Sequence, residues 1–204
     1  MRRVRRVLAV VGLLLAASAA GASDAVLSGN DGHPRERLPL ALHVASFGAP
    51  ALDLAASRAV DDWNRVARET LGVAAFAPAV VAADATVVVA SAPADARSPM
   101  GVTHLESGSD GVIALPVRIV VQEPAARGQT SRETVLYQVL AHELGHALGL
   151  AHTTDPRSLM CCVHASLNFN DAAIREAYIE ARRHPDVGSI RQQLAAHYER
   201  FWRK

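Results

Sequence analysis

An α+β fold is the expectation for this chain of 204 residues. Two patterns agree with it in element order, and one motif anchors it. Short β-branched runs, strongest at Thr86-Val87-Val88-Val89, are concentrated between residues 38 and 122. Amphipathic helical runs interrupt them once and then fill the rest of the chain. Among these helices stands His142-Glu143-Leu144-Gly145-His146-Ala147-Leu148-Gly149-Leu150-Ala151-His152, which reads H-E-x-x-H-x-x-G-x-x-H.

Residues 1–22 read as a secretory signal. Arg2, Arg3, Arg5 and Arg6 form a basic start, Val7 to Ala17 is an apolar run too short for a membrane span, and Ala20-Gly21-Ala22 is a small-x-small cleavage site. The expected location is therefore outside the cytoplasm, extracellular or periplasmic, with no membrane span once the signal is removed. The remaining chain suffices for one domain with a real core. Net charge is +1, which favours neither nucleic acid nor a membrane surface as partner. The expected form is a monomer.

Residues 23–37 are polar and contain Gly29-Asn30-Asp31-Gly32, so a flexible lead-in is expected there. Leu38 to Ala45 is short and apolar and suits a buried first strand. Over Ala51 to Leu71, Leu54, Val60, Trp63, Val66 and Ala67 recur at helical spacing, with Asp53 as the expected cap. Trp63 reads as core. Ala74 to Val81 and Ala85 to Ala90 follow as strands. Gly101 to Glu106 and Val112 to Gln122 follow as two more, joined by the turn Ser107-Gly108-Ser109-Asp110-Gly111. Pro116 marks an edge, a bulge or a break in the second of them. His104 reads as an ordinary strand or surface histidine.

Thr130-Ser131-Arg132-Glu133 offers a capping box for a helix running from about Ser131 to Leu148. Asp171 to Arg183 is a further amphipathic helix. Pro185 and Gly188 break the chain before a last helix, Ser189 to Trp202. The expected division is 38–185 as the catalytic domain and 186–204 as a helical extension. That extension either packs back on the domain or serves a partner or a membrane surface.

The chemistry lies in the motif. Residues four apart share one helical face, so His142 and His146 can hold one ion side by side. Zn²⁺ favours such imidazoles in a tetrahedral site that keeps one corner open. Gly149 stands where the helix ends and the chain reverses, bringing His152 to the third corner. Three neutral ligands leave the ion's charge intact, which lowers the pKa of water toward about 7. Glu143, a quarter-turn round from His142, is placed to take the proton of that water as general base and return it as general acid. Two histidines and a glutamate on an otherwise apolar helix would be costly to bury without a metal or partners.

With Ser158-Leu159-Met160 following, these residues resemble the metzincin zinc peptidases, most closely the matrixin-like branch. The resemblance covers roughly Leu38 to Arg183, but only His142 to Met160 is highly specific. It implies a twisted mixed five-stranded sheet with two long helices, a zinc cleft along one sheet edge, and a small C-terminal subdomain. It implies a zinc endopeptidase with one catalytic Zn²⁺, while the signal and the Ala- and Arg-rich usage suggest export from a bacterial cell. Met160 would be the apolar floor beneath the metal, and a protein or peptide substrate would lie along an edge strand that the sequence does not identify. Cys162 and His164 would fall in the loop walling the substrate pocket. Cys161 and Cys162 are adjacent, so a bond between them is strained and not the default. They remain open as free thiols near the metal or as pocket wall. The segment before residue 38 has no cysteine to block the zinc, and ligand spacing for structural calcium or a second zinc is not reproduced. Two other readings stay open: a zinc hydrolase of cell-wall peptide or another amide, and a catalytically idle zinc-bound module.

Overall fold

The computed structural model describes residues 27–161 and 167–203. The signal segment and the pocket candidates Cys162 and His164 lie outside the described residues. Five strands, β1 (Leu40–Val44), β2 (Phe76–Pro78), β3 (Val87–Ala92), β4 (Gly101–His104) and β5 (Val117–Gln122), form one open sheet in the order β2-β1-β3-β5-β4. β1, β2, β3 and β5 are parallel, and β4 runs antiparallel to β5 at the edge. The mixed five-stranded α+β sheet expected from the sequence is thus present.

One face of the sheet is dry. Leu40, Leu42, Phe76, Val87, Val89, Val117, Ile119 and Val121 are buried. The residues alternating with them are intermediate or exposed. Strand side chains alternate faces, so the helices must cover one side. Two long helices do so: α1 (Pro50–Leu71) and α2 (Arg132–Ala147), which pack on each other. α3 (Ala172–Arg183) follows, and α4 (Arg191–Phe201) packs back against α1. Among the described residues, no helix is long and apolar enough to cross a membrane.

Local chemistry sets the boundaries. α1 starts at Pro50, whose fixed φ suits the first helical position. Asp53 is therefore not its cap. Its carboxylate instead accepts from Phe47 N and Ser46 Oγ at 2.7 and 2.8 Å, tying the preceding loop to the first turn. Leu54 departs from the expected apolar face and is exposed, while Leu52 and Ala56 are buried. α1 ends on Gly72 at φ 74°. β5 is paired on both sides, so Pro116 is excluded from it and stands one residue before its start. α2 is capped by Ser131, whose hydroxyl accepts from Thr134 N, one residue beyond the expected Thr130 cap.

The lead-in differs from expectation. Asp31, Gly32 and His33 are buried. Gly32 N donates to Gly111 O, Ile113 N donates to Gly32 O, and the His33 ring bonds the Ala147 carbonyl at 2.9 Å. Short polar residues look like loop in sequence, but here the backbone of Gly32 is paired on both its N–H and its C=O.

Candidate metal centre

α2 carries His142, Glu143 and His146 on the stretch that faces away from Arg132 and toward the turn after the helix. The helix stops in a Schellman motif. Gly149 N donates to His146 O at 2.8 Å and Leu150 N to Gly145 O at 3.0 Å. Gly149 has φ 86°, and a Cβ there would collide with the Asp31 carbonyl. Positive φ and close backbone approach both select glycine at this position. The chain then doubles back and delivers His152.

The three imidazoles converge. His142 Nε2 lies 3.0 Å from His146 Nε2 and 3.0 Å from His152 Nε2, and the last two are 3.2 Å apart. The other nitrogens of the helical pair are engaged: His142 Nδ1 donates to Leu159 O and His146 Nδ1 to Leu150 O, each at 2.8 Å. Those bonds fix the proton on Nδ1 and leave lone pairs at both Nε2 atoms. Two lone pairs 3.0 Å apart repel unless a cation lies between them. Zinc–nitrogen bonds of about 2.0–2.1 Å in a tetrahedron put ligand nitrogens about 3.4 Å apart, close to the separations here. The donor set therefore fits zinc, and the three histidines are a group able to hold a metal ion. Burial, reinforced by repulsion from His146, pushes His142 down to about 3. The ring stays neutral, as a ligand must.

A tight turn supports the cluster from below. Met160 N donates to Ser158 Oγ and Cys161 N to Ser158 O, both at 3.1 Å, while Thr153 N donates to Met160 O at 3.0 Å. Met160 is fully buried. A Cβ on Gly145 would run into the Met160 sulfur and approach the Trp63 ring. This is the close approach that a glycine inside α2 permits. Trp63, core as expected, donates its indole N–H to Ala141 O at 2.8 Å. Cys161 is disulfide-bonded, and no described cysteine is free.

Sequence reasoning missed two sets of residues. Thr103 on β4 bonds Glu143, with Oγ1 2.7 Å from Oε2 and 3.1 Å from the main-chain O. Only strand alternation and a known edge could have pointed to it. The second set sits on α4 and the turn before it. Tyr198 Oη donates to Leu148 O at 3.0 Å, Gln193 Nε2 to Ala151 O at 2.8 Å, and Leu159 N to Ser189 Oγ at 2.9 Å. These carbonyls and this amide flank the helix end, His152 and Met160. The extension thus packs back on the site. Arg182 on α3 adds a bond to Cys161 O at 2.9 Å.

β4 is also the sheet edge that contacts α2. Just before β4 lies a cavity of about 200 Å³ of mixed lining, with Met100, Val135 and Val139 on one side and Asp95, Glu123 and Arg127 on another. His104 is an exposed strand residue, as expected.

No curated protein matches the chain in a search of such sequences. The matrixin family matches it over residues 55–181, which takes in most of α1, β2 to β5, α2 with the three histidines and most of α3. Membership supports a zinc metallopeptidase in general terms, and it accounts for a three-histidine cluster at the end of a helix beneath a sheet edge. The chain belongs to the matrixin family.

Proposed function

We propose that the chain is an exported zinc endopeptidase, acting as a monomer with one catalytic ion held by His142, His146 and His152. The observation that carries this reading is the convergence of three Nε2 atoms next to Glu143, on the helix that an antiparallel edge strand contacts. Zinc in such a site supplies the Lewis acidity that acidifies water and polarises an amide oxygen. The chain's own residues do the rest. The outer edge of β4 pairs with an extended peptide, holding the scissile bond over the cluster. Glu143 takes a proton from water and passes it to the departing amine. Met160 packs beneath as an apolar floor. No side chain is acylated.

Purified protein should contain zinc and cut a proteome-derived peptide library. Glu143→Ala should abolish turnover while retaining the metal. Cleavage that survives Glu143→Ala, or a protein that binds zinc and cuts nothing, overturns the reading. A cell-wall digest run in parallel separates peptide cleavage from hydrolysis of another amide.

A further inference from the structure

β4 presents alternate residues to α2. Gly101 pairs with Val121 and Thr103 with Ile119, and both partners belong to the buried face of the sheet. Residues 101 and 103 therefore look inward at the zinc helix, and what they meet there is Glu143. A Cβ on Gly101 would lie 2.7 Å from Glu143 Cγ, from Oε1 and from Val139 Cγ1. Thr103 is buried, at 3 % exposure, and so is Glu143, at 6 %. The Thr103 hydroxyl has one proton and two acceptors within reach: Oε2 at 2.7 Å and the Glu143 carbonyl at 3.1 Å. The shorter contact is the charge-assisted one, so the proton points at the carboxylate.

We propose that Thr103 is the positioning residue for Glu143, with Gly101 clearing the space in which the carboxylate lies. The need is physical. The terminal torsion of a glutamate is broad and roughly two-fold, so the helix backbone alone does not fix the plane of its carboxyl group. A buried hydroxyl on one oxygen does fix it. The strand that receives peptide on its outer edge thus orients the base with its inner face. The Thr103 side chain touches neither the peptide nor the three histidines. It acts through Glu143, and the inference rests on the peptidase reading only for its kinetic test.

Thr103→Val keeps the side chain's shape and removes the donor, and Thr103→Ser keeps the donor. A hydrogen bond to a charged group is worth about ten- to a hundredfold in rate when lost. We expect Thr103→Val to lower kcat by about tenfold or more, with KM and zinc content held. Thr103→Ser should stay within about threefold of the parent. Thr103→Ala supplies the same comparison should the valine variant fold poorly. A kcat equal to the parent in the valine or alanine variant overturns the proposal. So does a loss that serine does not restore, or one that follows zinc content.

A second readout does not depend on turnover. In zinc-loaded protein labelled with ¹³C at glutamate carboxyls, the Glu143 signal is assigned by its disappearance in Glu143→Gln. It should move in Thr103→Val and return in Thr103→Ser, and an unmoved signal overturns the proposal. If the parent cuts no peptide at all, the peptidase reading fails, while this signal still decides the positioning of Glu143.

Discussion

At the scale of the residue, Gly149 shows how tightly chemistry and backbone are joined. A non-glycine residue at φ 86° costs about 1–2 kcal/mol, and a Cβ also meets the Asp31 carbonyl. Gly149→Ala should therefore destabilise the protein by about 2 kcal/mol or more and weaken zinc retention, read by denaturant unfolding and by competition with a chelator. His33 gives a pH dependence. Burial lowers its pKa, against the bond to Ala147 and helped by Arg37, so the folded ring is neutral. In the unfolded chain it gains a proton below about 6.5. The unfolded state then binds more protons, so stability is full above that pH and falls as pH drops through it, by at most about 1.4 kcal/mol per unit for one group. His33→Gln should flatten that fall, measured as unfolding midpoints of metal-free protein between pH 7.5 and pH 5. The convergence of the three histidines, the burial of Met160 and the reversal at Gly149 were legible in the sequence because a helix and one reversal have fixed periods. His33 and Thr103 were not, because nothing local distinguishes a buried histidine or threonine from a surface one.

At the scale of the element, α4 is the part that the resemblance did not reach. Leu194, Tyr198 and Phe201 are buried, and Arg191 pairs with Glu69 on α1 at 2.6 Å. Burial pushes the Tyr198 phenol well up, so it remains a neutral donor to Leu148 O. Tyr198→Phe leaves a buried carbonyl without that donor and should cost about 1–3 kcal/mol, seen as a lowered unfolding midpoint. Gln193→Ala acts on the carbonyl preceding His152 and should speed zinc loss more than it lowers stability, seen by chelator competition kinetics. Most elements were readable from spacing: α1, α2 and α3 start and stop within a residue or so of the pattern. The caps were less so. Ala49 precedes a proline that opens α1, and Asp53 went to the loop instead. Turn chemistry nearby competes with capping, and a single sequence does not say which wins.

At the scale of the whole molecule, the sheet, the two long helices and the zinc cluster depend on one another. Trp63 of α1 bonds α2 one residue before His142, and Gly145 of α2 leaves room for the sulfur that floors the site. Metal removal should therefore lower thermal stability of the entire unit in a single transition. Restoring free zinc to a hundredfold above its dissociation constant should return about 2.7 kcal/mol, checked by calorimetry with and without chelator. The class of fold was legible because strand runs and helix runs segregate. Strand order was not, since β-branched runs carry no record of their neighbours. Which edge strand lies beside α2 became identifiable only from the contact of β4 with that helix.

The collision point between Gly149 and Asp31 bears on how much chain a working enzyme needs. Asp31 lies well upstream of residue 55, and so does β1, which sits between β2 and β3 inside the sheet. Tyr198 lies downstream of residue 181. A chain trimmed to the stretch that matches the family would thus be a sheet missing an inner ribbon and a histidine loop stripped of its supports on both flanks. A chain cut to 55–181 should therefore lose stability relative to the full chain, its margins serving as supports for the fold.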